Sequence, residues 1–294
     1  MDSADLKVFE AVARLGGMNR AAAALNTVQS NVTAHIRQLE EELGVPLFHR
    51  HSRGVALTAA GRRLLPYAEQ VRHLLEDARR AVIDDGTPKG RLTIGSLETT
   101  AAVRLSPVLG TYAAAYPEVD LVLSTGTTCE LIDAVLEHRL DGAFVCGPVD
   151  HPDLAEELAF REELALVTGR AVHSLDDLAS HRHLKIVVLR AGCSYRQRLE
   201  SILAKRGVVG LRRLEFGTLQ AILGCVKAGL GVTLLPKSVV SDAWRAGEVA
   251  VHDLPPDEAQ VDTLFIRRRE TFVSSALTAL LQCARPVPRA EAAD

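Results

Sequence analysis

Six side chains within nine positions carry the chemistry of a base reader: Gln29, Ser30, Asn31, Thr33, Ala34 and Arg37. Short hydroxyls and alanine let a helix backbone approach base edges closely. Alanine can touch a thymine methyl, and Arg can chelate guanine O6 and N7 or grip a phosphate. Gln29 and Asn31, near the N-terminal end, can reach adenine edges or phosphates, where the helix dipole also favours an anion. A solvated helix face more commonly carries Lys and Glu. The run FHRHSRG (48–54) follows, with Arg50 and Arg53 flanking its tip. Those arginines suit contacts to a DNA backbone or a minor groove. The acidic Glu40–Glu42 at the far end of the helix would be repelled by phosphate, which confines groove contact to the first two turns.

Position depends on the surrounding elements. Leu6, Phe9, Val12 and Ala13 recur at helical spacing, and Gly16-Gly17 stops that helix. Asn19 stands as the N-cap of a second, alanine-dense helix, RAAAAL (20–25). The third helix has Val32, Ile36, Leu39 and Leu43 on its inner side and ends at Gly44. PLFHRHSRGVALT (46–58) reads as two short strands around a Ser-Arg-Gly turn. Three short helices and a basic hairpin make a winged helix-turn-helix over residues 1–58.

From the N-cap Thr58 a long helix runs to about Ile83. Its apolar positions Leu64, Ala68, Val71, Leu75, Ala78 and Val82 are spaced 4, 3, 4, 3, 4, a heptad seam suited to pairing with a second chain. The same spacing also suits packing on its own domain. DDGTPKG (84–90) is a hinge, so that residues 59–88 form a linker. Beyond it, RLTIGS, VDLVLSTG, DGAFVC, LALVTG, KIVVL, RRLEF, GVTLLP and TLFIRR alternate with helical runs, a pattern of parallel α/β sheets over 89–294. The final RPVPRAEAAD reads as a frayed tail.

Composition bounds the function. Hydrophobic residues make up 47% of the 294 positions, enough for a substantial core, and the formal charge of −3 excludes a uniformly basic coat. Basic residues instead gather between His35 and Arg63. The five cysteines are widely spaced without a CxxC, against a disulfide framework or zinc site. MDSADLKVFEAV lacks a basic-then-apolar leader, and the apolar run Ala221–Pro236 is broken by Lys227 and glycines, so a soluble, cytoplasmic protein without a membrane partner is expected. No GxGxxG after a strand, P-loop, GxSxG or HExxH is present, which leaves an α/β enzyme with a DNA-binding head as a remote alternative and no cofactor expected.

The run from Leu6 to Gly61 resembles the N-terminal domain of LysR-type transcriptional regulators. The matching motifs are F-x-x-V-A at Phe9–Ala13, RAA before L-N, Q-S-x-V-T-x-x-I-x-x-L-E, LGVPLF-x-R and LT-x-A-G. Val28 stands where the family usually has a capping Ser or Thr, and Ser30 where Pro is common; Thr27 is the replacement cap available. RLTIG, YPEVDLVLSTGTT, LDGAFV and VKAGLGVTLLP match the family's effector domain. The resemblance implies two Rossmann-like lobes like a periplasmic binding protein, lobe I at about 89–162 and 267–294 and lobe II at about 163–266. It also implies a bacterial regulator that binds double-stranded operator DNA, assembles as a dimer or a dimer of dimers, and contacts RNA polymerase if it activates. Four strand-to-helix junctions would then face one cleft. They supply Ser96, Thr99 and Thr100; Thr127 and Thr128; Cys193 and Ser194; and Thr218. Such a cleft suits a small organic acid, although Glu98 opposes an anion and favours an amine or mixed-charge ligand. Cys193 and Cys146 leave open a second reading, thiol sensing of an oxidant or electrophile.

Overall fold

The computed structural model describes residues 1–51, 54–172, 174, 184–189 and 194–285. Arg53, Cys193, the tail from Pro286 and the side chain of Arg50 lie outside the described residues. Two compact units divide the chain, residues 1–85 and 86–294.

The first unit begins with α1 (Ser3–Leu15), capped by Asp2, whose side chain accepts the Asp5 N–H at 2.9 Å while Asp5 accepts the Asp2 N–H at 3.3 Å. Gly16 ends α1 in the left-handed region at φ 66°. Helix α2 (Met18–Ala24) starts from Gly17, not from Asn19. The left-handed Gly16 and extended Gly17 redirect the chain within two residues, so Asn19 is already inside the helix. Helix α3 (Gln29–Leu43) has Val28 at its N-cap with no side-chain cap. Thr27 does not replace it: its hydroxyl oxygen accepts the Asn31 side-chain amide at 3.0 Å. Val32, Ile36 and Leu39 are fully buried beside Phe9 and Val12 of α1 and Ala21 of α2.

The wing pairs β1 (Phe48–His51) antiparallel with β2 (Gly54–Leu57). The Phe48 ring sits 5.3 Å from that of Phe9, which docks the wing on the helical core. Gly54, at φ 136°, lies so close to α1 that an added Cβ would be 2.6 Å from the Gly16 carbonyl. Helix α4 (Ala59–Ile83) starts at Thr58, whose oxygen accepts the Gly61 N–H at 3.0 Å and whose hydroxyl donates to the Pro46 carbonyl at 2.8 Å.

The heptad seam of α4 divides in two. Ala68 is 1% exposed within the core of the first unit, and Leu64 and Val71 pack on the same core. Ala68 is thus taken up by that core, and Leu64 and Val71 are partly so. Leu75 and Val82 are 53% and 86% exposed, and Ala78 is also exposed. Tyr67, Leu74 and Ile83 extend that outer apolar surface.

The second unit carries a sheet in the order β10-β6-β11-β5-β3-β4, with β9 also paired to β6. Its strands are β3 (Gly90–Ser96), β4 (Val119–Thr125), β5 (Gly142–Cys146), β6 (Leu154–Gly169), β9 (Thr233–Pro236), β10 (Val249–His252) and β11 (Gln260–Arg268). Pairing is mixed rather than all parallel. β3 runs parallel to β4 and β5, whereas β11 is antiparallel to β5 and β6. β7 (Lys185–Leu189) and β8 (Arg212–Phe216) form a separate parallel pair.

β6 is 16 residues long and serves both lobes. Residues 154–163 pair with β11, and 164–167 pair with β9. The whole of β11 pairs within the first lobe, so the chain returns there at about Gln260 rather than at the expected boundary of 266/267. In the first lobe the chain leaves β3 through Glu98–Thr100, a π turn at Ala101–Leu105 and the helix Ser106–Ala115.

Because Thr58 caps α4 and ties down Pro46 together, Thr58→Ala should lower the stability of the first unit by about 1–2 kcal/mol. Urea unfolding of the full chain reads this, and an unchanged midpoint would show that the cap does not hold the junction.

Candidate functional site

On the first unit, burial of one α3 face decides what the other presents. Gln29, Ser30, Asn31, Ala34 and Arg37 are exposed and Thr33 is half-buried. Thr33 donates its hydroxyl to the Gln29 carbonyl at 2.9 Å, so its methyl is the group turned away from the backbone. His35 lies between the faces, its Nδ1 2.8 Å from the buried carboxylate of Asp5 on α1. Glu40 accepts the Leu47 and Phe48 backbone N–H groups at 2.7 and 3.2 Å. It is occupied with the start of the wing, a role that its place in an acidic triplet did not show.

On the second unit, a cavity of about 120 Å³ lies at the C-terminal ends of strands from both lobes. The first lobe contributes Leu97, Glu98 and Thr99 after β3, Thr125–Thr128 and Glu130 around the end of β4, and Cys146 at the end of β5. The second lobe contributes Leu189, Ser194, Tyr195 and Gly217. Each of the four expected junctions contributes at least one described residue to this cavity.

Individual residues differ. Thr99, Thr127, Thr128 and Ser194 line the cavity. Ser96 is fully buried and donates to the Leu97 carbonyl at 3.0 Å, while Thr100 is buried, and neither lines the space. Thr218 is exposed and caps its own helix, Leu219–Lys227, by accepting the Ala221 N–H at 3.3 Å. Its neighbour Gly217 faces the cavity instead. Sequence reasoning passed over Glu130 and Tyr195 as lining residues. The spacing Thr127-x-x-Glu130 was a readable capping box, and the Glu130 carboxylate accepts the Thr127 N–H at 2.8 Å.

Among the described residues, hydrogen bonds cross between the lobes at this cavity from Ser194 and Leu219. Ser194 donates to the Thr128 hydroxyl oxygen at 3.1 Å. Glu98 accepts the Leu219 N–H at 2.8 Å, placing a carboxylate at the N-terminus of the helix Leu219–Lys227. Where β6 passes between lobes, buried Glu162 accepts from Arg104 at 2.6 and 3.1 Å and from Ser238 at 3.3 Å. That carboxylate holds the guanidinium pKa above its ordinary value. The charged side chains lining the cavity among the described residues are Glu98 and Glu130. Among the described residues, no group of His, Cys, Asp and Glu could hold a metal, and no helix is long and apolar enough to cross a membrane.

A winged helix-turn-helix joined to a two-lobed α/β unit with an interlobe cavity defines a DNA-binding transcriptional regulator. Residues 3–62 match the family described as bacterial regulatory helix-turn-helix protein, lysR family, and residues 85–289 match the LysR substrate binding domain. The HTH-type transcriptional regulator GltR of Bacillus subtilis (strain 168) is 45% identical over 276 residues, 94% of this chain and 93% of that protein. The fold is shared with ArgP from Mycobacterium tuberculosis at a TM-score of 0.72 and 18% identity, over 97% of each chain. Full-length CbnR complexed with target DNA matches at 0.63 and 24% identity, over 97% of this chain and 99% of that one. The chain belongs to the LysR family of transcriptional regulators, and its domains are those of regulators rather than enzymes.

Removing the Glu98 acceptor should free the Leu219 amide. Hydrogen exchange of that amide in Glu98→Ala should be faster by about tenfold or more, as loss of a charge-assisted bond implies. Exchange at the parent rate would show that the bond does not hold the lobes.

Proposed function

We propose that this regulator places the Gln29–Arg37 face of α3 in the major groove of its operator, and that a small molecule bound in the interlobe cavity changes that binding. The observation carrying the DNA reading is the fully buried Val32–Ile36–Leu39 stripe, which leaves Ser30, Ala34 and Arg37 exposed on the opposite side. The wing arginines Arg50 and Arg53 then hold phosphate or an adjacent minor groove. The CbnR structure of the same fold, which contains target DNA, supports this placement.

The outer surface of α4 pairs two protomers on this reading, through Leu74, Leu75, Ala78 and Val82 rather than through the whole seam. Effector action follows from the cross-lobe hydrogen bonds. A ligand that binds more tightly to one lobe arrangement shifts the population toward it, and no other route is available thermodynamically. Cytoplasmic placement accords with a DNA target. Thiol sensing through Cys146 receives less support, because Cys146, although it lines the cavity, is buried, while Cys193 lies outside the described residues.

Gel-shift titration against the DNA upstream of its own gene, at stated salt, tests the groove reading. Arg37→Ala should weaken binding by about tenfold, or about 1.4 kcal/mol, at the lower end of the roughly 1–3 kcal/mol of a base contact; parent-level affinity would remove Arg37 from the interface. Leu75→Glu combined with Val82→Glu should move the sedimenting species towards monomer. For the cavity, a thermal-shift screen of the full chain with small acids, amines, amino acids and oxidants should give a stabilising compound. Thr128→Val should abolish its shift.

A further inference from the structure

Glu40 sits on α3 one turn before Gly44 ends the helix, a poor place for a carboxylate. It lies near the negative end of the helix dipole and on the element that approaches phosphate. There its Oε1 accepts two backbone donors, Leu47 N–H at 2.7 Å and Phe48 N–H at 3.2 Å. Phe48 is the first residue of β1, so the carboxylate binds the point where the wing begins.

The other side of that point is held from α4. The Thr58 hydroxyl donates to the Pro46 carbonyl at 2.8 Å, and the Thr58 N–H donates to the Leu47 carbonyl at 2.9 Å. The backbone at Gly61 comes so near that an added Cβ would stand 2.3 Å from the Leu47 carbonyl. Leu47 itself is buried. The turn Val45–Leu47 is therefore gripped from the groove-reading helix on one side and from the start of α4 on the other. Of these grips, only Glu40 belongs to the helix whose placement the wing must match.

We propose that Glu40 is a positioning residue for DNA binding. Its carboxylate sets the angle at which the wing leaves α3, so that the wing's basic side chains reach the backbone while α3 occupies the groove. The proposal rests on the reading that the wing touches phosphate. It differs in sign from simple electrostatics. If Glu40 only repelled DNA, every substitution removing its charge would tighten binding, and Glu40→Asp would change nothing.

Dissociation constants of the full-length protein for a mixed-sequence duplex, measured across a salt series, separate the two. Glu40→Gln keeps an acceptor and loses the charge, so it should bind as tightly as the parent or more tightly. Glu40→Ala, and Glu40→Asp with its shorter reach, should bind about fivefold more weakly at about 0.15 M salt. The slope of log K against log salt should fall by about 1, the loss of one phosphate contact. Arg50→Ala should give the same loss, and Glu40→Ala combined with Arg50→Ala should be no weaker than either alone. Equal affinity of Glu40→Ala and Glu40→Gln would overturn the proposal, as would parent-level binding by Glu40→Asp or full additivity with Arg50→Ala. An unchanged slope in Arg50→Ala alone would instead remove the wing contact on which the proposal stands.

Discussion

Burial of three aliphatic side chains on α3 determines what the first unit presents to solvent. Val32, Ile36 and Leu39 are fully buried against α1 and α2. Each is worth about 1.5–3 kcal/mol when removed from water, so together they exceed the roughly 1–3 kcal/mol of any single base contact. No single base contact can rotate the helix against that packing. The outer face is therefore set by the core, and Ser30, Ala34 and Arg37 are presented whether or not DNA is bound. His35 and Glu40 reinforce the placement from either side, one reaching α1 through Asp5 and the other reaching the wing.

In the second unit the corresponding constraint is a shared strand. β6 carries the backbone ladder from one lobe into the other, so the lobes cannot separate without bending it. Glu162 stands at the crossing, buried and satisfied by Arg104 and Ser238. Breaking such a pair without replacing it leaves a buried charge, which favours keeping this side of the interface closed. On the cavity side, the described residues include the bonds Ser194 to Thr128 and Leu219 to Glu98.

Much of this was legible in the residues because local rules and tertiary packing agree. The α3 phase, the Thr58 cap and the Gly16 and Gly44 stops each follow from residue type at a fixed offset. The failures have separate causes. The 4-3 spacing on α4 fits the first unit's own core as well as another chain, and only distance along the helix separates Ala68 from Val82. The N-terminal part of β6, LAEELAFREE, is charged along its exposed positions and so did not read as a strand. At the cavity, strand ends were visible but side-chain direction was not. Ser96, Thr100 and Thr218 each lie one residue from a lining neighbour, Leu97, Thr99 and Gly217.

The division of α4 gives the outer stripe leverage over the wing. The helix is continuous over 25 residues, with its first turns locked to Pro46 and Leu47 and its later turns apolar and exposed. From Thr58 to Leu75 is about 25 Å at 1.5 Å per residue. On the reading that two protomers pair near Leu75, a tilt of about 10° at that point moves the Thr58 end by roughly 4 Å, close to the 3.4 Å rise along the DNA axis per phosphate of one strand. Because α1 and α3 pack as one body with that end, the recognition face moves with it. On that reading, a small change in how two α4 helices cross would put both groove readers into or out of register, without any rearrangement inside the first unit.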